Sequence, residues 1–105
     1  MNYIEGVKMI SIIIPTYKRF DLKKAIQSVI NQNYNNIEII VINDHSEDET
    51  RKIKEVFPQI VYIENVSNKG PGYSRKIGLN YSTGDYIVFL DDDDYYTDYT
   101  FFNLA

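Results

Sequence analysis

Ile87-Val88-Phe89-Leu90-Asp91-Asp92-Asp93-Asp94 decides the reading of this chain. Four consecutive apolar residues predict a strand buried on both faces, as in a parallel sheet. The four carboxylates at its end repel one another. A divalent cation that prefers oxygen ligands, Mg²⁺ or Mn²⁺, relieves that repulsion. A strand ending at the rim of a sheet would hold them where α/β proteins hold their ligands. The plainer alternative is an acidic, solvated turn.

Working outward from Tyr86 to Leu90, the same apolar signal recurs at Met9 to Ile14, Ile37 to Ile42 and Ile60 to Ile63. Pro15 stops the first of these runs. Between them the period changes to that of a helix. Asp21 stands where a cap belongs, and Leu22, Ala25, Ile26, Val29 and Ile30 follow at i, i+3, i+4, i+7 and i+8. Asp48 to Phe57 reads as a short helix with Ile53, Val56 and Phe57 inward, closed by Pro58. Tyr73 to Tyr81 reads as a third, with Tyr73, Ile77 and Tyr81 on one stripe. The order β-α-β-α-β-α-β predicts an α/β fold, a Rossmann-like parallel sheet with helices on both faces. Right-handed crossovers favour strand order 3-2-1-4. The chain then reverses between strands one and four. The loops Pro15 to Phe20, Asn43 to Ser46 and Asp91 to Asp94 meet there, at the place such sheets bind ligands.

Composition narrows the function classes. A length of 105 residues predicts one domain. The absence of cysteine excludes disulfides, thiol chemistry and zinc–thiolate sites, and is compatible with a reducing cytoplasm. No apolar run reaches the roughly 18 residues of a membrane span, and Met1 to Lys8 lacks the core of a signal peptide. A net charge of −4 argues against non-specific nucleic-acid binding.

Several residues outside the acidic run invite chemistry. Asp44 ends strand two and can accept from an N–H of a ligand base, or cap the next helix. Ser46 and Asp48 read as helix-start residues. Asn68-Lys69-Gly70-Pro71-Gly72 presents backbone N–H groups before a helix, a setting that favours anions such as phosphate. It matches neither the P-loop nor the dinucleotide fingerprint. Arg75 and Lys76 in the first turn of that helix are unfavourable by about 0.3–1 kcal/mol each. A bound diphosphate would offset that; the alternative is an ordinary surface pair. The lone His45 reads as a solvated turn residue. Tyr17 lies in a loop facing the acidic run and could abut a base or ribose.

Four segments together resemble one family. Ser11-Ile12-Ile13-Ile14-Pro15-Thr16-Tyr17 is similar to the opening strand of the family 2 glycosyltransferases, inverting enzymes with the GT-A fold. Ser28 to Tyr34 followed by Glu38 to Ser46 resembles their next helix and strand. Asn68 to Pro71 with Ser74 to Gly78 resembles their loop and helix. Gly84 to Asp94 resembles the strand that carries their DxD motif. The resemblance implies that Asp44 recognises the nucleotide base and that Pro15, Thr16 and Tyr17 lie against the nucleoside. It implies Arg75 near the donor's diphosphate or base, Asp92 at the ribose, and Asp91 and Asp93 as ligands of Mg²⁺ or Mn²⁺, with Asp93 the direct one. The implied donor is a UDP-type nucleotide-diphospho-sugar, and the acceptor a saccharide or lipid-linked hydroxyl. The implied setting is bacterial surface-polysaccharide assembly, in the cytoplasm or at the inner membrane face.

The departures are His45 in place of the usual Gly, Asn43 where Asp is frequent, and Ser74 and Lys76 in place of Ala and Asn. Length is the larger one. No general base is identified in residues 1–105, since Asp98 comes too soon after the motif. The expectation is a nucleotide-diphospho-sugar binding domain truncated after the DxD motif, the nucleotide-binding half of a GT-A fold, inactive alone. Self-association through Phe101, Phe102 and Leu104 is expected. The rival readings are a phosphotransfer domain with an acidic pocket, which wants an aspartate at the end of strand one, and a non-catalytic interaction remnant.

Overall fold

The computed structural model describes residues 8–18 and 21–97. Phe20, Asp98, Phe101, Phe102 and Leu104, all invoked above, lie outside the described residues. Four parallel strands form one sheet in the order β3-β2-β1-β4. They are β1 (Ile10–Thr16), β2 (Ile37–Asn43), β3 (Val61–Glu64) and β4 (Tyr86–Phe89). The expected order and the chain reversal between β1 and β4 are both present.

Alternation along the central strands sorts the core into two layers. Ile10, Ile12 and Ile14 of β1 and Ile39 and Val41 of β2 face α1 (Leu22–Ile30), with Ile53, Phe57 and Ile60 in the same cluster. Ile13, Ile40 and Ile42 point the other way, where Ile77 of α3 (Pro71–Tyr81) packs on them. Both central strands are therefore largely apolar on both faces, which is why their sequences read as isoleucine-rich, nearly continuous apolar runs.

β4 departs from expectation. It is an edge strand, with Tyr86 and Phe89 about half exposed, so the run is not buried on both faces. Only Leu90, just past its end, is fully in the core. The second helix also differs. Glu49–Lys52 is a 3₁₀ turn capped by Asp48, whose side chain accepts from Thr50 N, and one α-turn, α2 (Ile53–Val56), follows. Val56 is exposed rather than inward. Asp21 holds the N-cap position of α1 without a side-chain capping bond.

α3 begins two residues earlier than its tyrosine pattern suggests, with Pro71 in its first turn. Tyr73 and Tyr81 are exposed, and the face turned to the sheet is made of the buried Ser74 and Gly78 with the partly buried Ile77. Small residues there let the helix axis approach the strands closely. A Cβ on Gly78 would stand 2.4 Å from Ile13 Cγ2.

The end of the sheet remote from the acidic run is closed by a carboxylate. Glu38 accepts from Ser11 Oγ at 2.8 Å, from Thr83 N at 3.0 Å and from Thr83 Oγ1 at 3.1 Å. Gly84 N in turn donates to Ser11 Oγ at 2.9 Å. This clamp fixes the turn into β4 against β1 and β2, and so sets where the acidic run emerges at the opposite rim.

Candidate functional site

At the carboxyl ends of β1, β2 and β4 the loops enclose a cleft of about 380 Å³. The residues that the resemblance places at the donor line it, namely Pro15, Thr16, Tyr17, Asp44, Arg75, Asp91, Asp92 and Asp93, joined by Pro71 and Ser74, whereas Ser46, Asp48 and Lys76 do not. The convergence follows from topology, since the reversal between β1 and β4 opens the crevice and α3 forms one wall.

β1 leads into Tyr17 and then Lys18, whose φ of 52° turns the chain sharply. That loop is pinned from both sides. Thr16 Oγ1 donates to Asp92 Oδ2 at 2.8 Å, and Tyr17 N reaches the same oxygen at 3.3 Å. Lys18 N donates to Ser46 Oγ at 3.2 Å, and Asp44 N to Thr16 O at 2.9 Å. Asp92 is thus buried, with one carboxylate oxygen holding the β1 loop against the acidic turn. That is a tie within the protein; Asp92 also lines the cleft, where the resemblance implies a place at the ribose. Ser46 likewise joins two loops rather than starting a helix.

Asp44 is the most constrained carboxylate of the cleft. Its Oδ1 accepts from Asn65 Nδ2 at 2.9 Å and Lys69 N at 2.8 Å; its Oδ2 accepts from Gly70 N at 2.8 Å. The backbone N–H groups expected to receive a phosphate are therefore taken up by the protein's own carboxylate, just before α3. Burial pushes the Asp44 pKa up, but the bonds from Lys69, Asn65 and Gly70 outweigh it and hold the carboxyl below the usual range. Asp48 is also lowered, by its bonds with Thr50. Depressed folded-state values contribute stability that is present above the unfolded pKa, near 4, and lost as pH falls through the folded-state value. The urea midpoint should hold at pH 5 and fall at pH 3. In Asp48→Asn, measured the same way, the acid-induced fall should be smaller; an unchanged fall would remove Asp48 from the cause.

The two notable departures at the end of β2 have local reasons. Fully buried Asn43 accepts from Ser46 N at 2.8 Å and donates to Ser46 O and Tyr62 Oη, both at 3.0 Å. An aspartate has no N–H for those two acceptors. His45 has φ 65°, the left-handed region that glycine occupies without cost. Its ring is half-buried rather than simply solvated: Nδ1 meets Asn65 O at 3.2 Å and Nε2 meets Glu47 Oε1 at 3.2 Å.

On the far wall, Arg75 Nη2 lies 3.7 Å from Asp91 Oδ1. Asp91, Asp93 and Asp94 are exposed, and each offers an oxygen within 4.8 Å of the others. Clustered hard oxygen donors suit Mg²⁺ or Mn²⁺. Sequence reasoning named the first two and left out Asp94. It also left out Asn65, which no pattern marks, and treated Ser74 as a departure without assigning it a place in the cleft.

Comparison with known proteins places these features in company. A family model described as glycosyl transferase family 2 matches residues 11–105. The GalNAc(5)-diNAcBac-PP-undecaprenol beta-1,3-glucosyltransferase of Campylobacter jejuni is 38% identical over 81% of this chain and 29% of its own length. The UDP-Glc:alpha-D-GlcNAc-diphosphoundecaprenol beta-1,3-glucosyltransferase WfaP of Escherichia coli is 39% identical over 86% of this chain and 37% of its own length. The crystal structure of S. aureus TarS in complex with UDP superposes with a TM-score of 0.84, at 26% identity, over 90% of this chain and 30% of that one. The chain thus spans little more than a third of these relatives at most. Among the described residues no helix is long and apolar enough to cross a membrane.

Proposed function

The chain belongs to glycosyl transferase family 2, and from that premise we propose that it forms the donor-binding part of an inverting, metal-dependent enzyme. The reaction moves a sugar from a UDP-type nucleotide-diphospho-sugar to an acceptor hydroxyl on a saccharide or lipid-linked carrier, in the assembly of bacterial surface polysaccharide. The observation that carries this reading is the single cleft in which Asp44, Arg75 and the Asp91–Asp93 turn face one another. The C. jejuni and E. coli relatives, both named glucosyltransferases for undecaprenol-linked acceptors, support the acceptor class. The UDP complex of TarS supports the donor class.

The roles follow from chemistry. Pro15, Thr16 and Tyr17 form the wall against the nucleoside, with Tyr17 exposed for stacking. Asp44 keeps an acceptor position on Oδ2, which receives one bond among the described residues, and can take an N–H of the base. Asp91 and Asp93, with Asp94 beside them, would hold the cation, whose charge would neutralise the diphosphate. Arg75, paired loosely with Asp91, is placed to turn to that diphosphate. We assign the general base to a part of the enzyme outside these residues, since among the described residues the carboxylates lining the cleft are Asp44, Asp91, Asp92 and Asp93, to which the donor and the cation are assigned. The phosphotransfer alternative wants an aspartate at the end of β1. Thr16 stands there instead, its hydroxyl bound to Asp92.

Calorimetric titration of UDP with Mn²⁺ and with EDTA tests the donor site. Binding should weaken in EDTA, and Asp93→Asn should lower the affinity in Mn²⁺ by about tenfold or more. The thermal midpoint should stay put, because Asp93 is exposed at the rim. Equal affinity with and without metal would remove the cation from the proposal.

A further inference from the structure

Ser74 is fully buried, lines the cleft and treats its hydroxyl unlike two other helical or helix-end serines. Ser28 and Ser82 fold their hydroxyls back onto carbonyls three residues earlier, Ala25 O and Leu79 O, each at 2.7 Å. Ser74 does not. Its oxygen accepts from Asn65 Nδ2 at 3.0 Å. That nitrogen also donates to Asp44 Oδ1 at 2.9 Å, and a carboxylate can only accept, so the Asn65 amide orientation is fixed. Ser74 is thereby committed as the acceptor, and its own hydrogen meets no acceptor among the described residues.

The cleft therefore presents a carboxylate acceptor, Asp44, beside an uncommitted hydroxyl donor, Ser74. Both are held by one amide, which donates to Asp44 Oδ1 and to Ser74 Oγ and leaves Asp44 Oδ2 with an acceptor position for the base. We propose that Ser74, oriented by Asn65, is a specificity-determining residue that selects a base carrying a ring N–H next to a carbonyl. This rests on the donor-site reading above and sharpens it. An imide edge, as in uracil, offers its N–H to Asp44 and its C=O to the Ser74 hydroxyl. Cytosine offers a ring nitrogen acceptor to the carboxylate, which is a mismatch, and an amine donor to Ser74, which can accept it on its second lone pair only by turning its own hydrogen away from the base. A buried acceptor left facing an acceptor is a strong basis for rejection.

Titration of the 105-residue chain in Mn²⁺ with UDP, CDP, 4-thio-UDP and pyrophosphate tests this. UDP should bind more tightly than CDP. Ser74→Ala should weaken UDP by roughly fivefold to tenfold and leave CDP and pyrophosphate nearly unchanged, so the preference contracts. Ser74→Ala also orphans an Asn65 N–H and can cost stability, so the ligand is altered as well. With unmodified protein, 4-thio-UDP, whose sulfur is a weak acceptor, should bind several-fold more weakly than UDP. An unchanged UDP-to-CDP ratio in Ser74→Ala, or 4-thio-UDP as tight as UDP on the unmodified chain, overturns the role of Ser74. UDP no tighter than pyrophosphate overturns the donor-site reading along with it.

Discussion

Gly78→Val is expected to lower the stability of this domain by more than about 3 kcal/mol, a large part of what so small a fold possesses. The residue sits where α3 lies closest to the sheet. A Cβ there would meet Ile13 Cγ2 at 2.4 Å, Ile42 Cδ1 at 3.0 Å and Ile13 Cγ1 at 3.3 Å. Ile13 and Ile42 are fully buried on the central strands, and a β-branched side chain in a strand has few rotamers to retreat into. Gly78→Ala tests the balance more finely. It gains up to about 1 kcal/mol of helix propensity, yet the 2.4 Å approach should still make it net destabilising. Gly72, in the same helix, is the control. Nothing lies within 4 Å of a Cβ built there, so Gly72→Ala should be neutral or stabilising by about 0.5–1 kcal/mol. Urea midpoints of the three variants decide it. If Gly78→Val melts like the unmodified chain, α3 packs elsewhere.

The same helix shows where sequence reasoning reaches and where it stops. Nearly continuous apolar runs marked β1 and β2 because two-sided burial leaves few polar positions, Ser11 and Glu38 being the exceptions near their starts, and their pairing order followed from crossover handedness. The run at β4 looks the same in sequence, but strand position in the sheet is a tertiary property. Tyr86 and Phe89 lie on its edge, about half exposed. In α3 the large residues drew attention to a stripe of Tyr73, Ile77 and Tyr81, of which only Ile77 packs on the sheet, whereas the buried positions are Ser74 and Gly78. Small residues that permit close approach carry no hydrophobic signal. The cleft was legible because its residues sit at strand ends, which topology gathers to one rim. What each carboxylate holds was not. Asp92 and Asp44 are engaged by partners 75 or 76 and 21 to 26 positions away in the chain, and no local pattern encodes such pairings.

Asp44→Ala should have the largest effect at the site, on stability and on ligand together. The substitution strips the acceptor from Asn65 Nδ2, Lys69 N and Gly70 N at once. Each orphaned donor costs about 1–3 kcal/mol where water cannot replace the lost bond. The cleft admits water to some of them, so a total near 3 kcal/mol is expected. The loop Asn68 to Gly70, which leads into α3 and hence Arg75, then loses its tether. Because the vacated position is lined by backbone N–H groups before α3, a small carboxylate should occupy it. Formate at tens of millimolar should raise the melting temperature of Asp44→Ala and leave that of the unmodified chain alone. Ligand binding separates the two roles of the carboxylate once formate has restored the loop. If Asp44 also takes the N–H of the base, UDP affinity stays low while pyrophosphate affinity recovers. Recovery of both to the same extent would assign Asp44 to the tether alone and leave base recognition to other groups of the cleft.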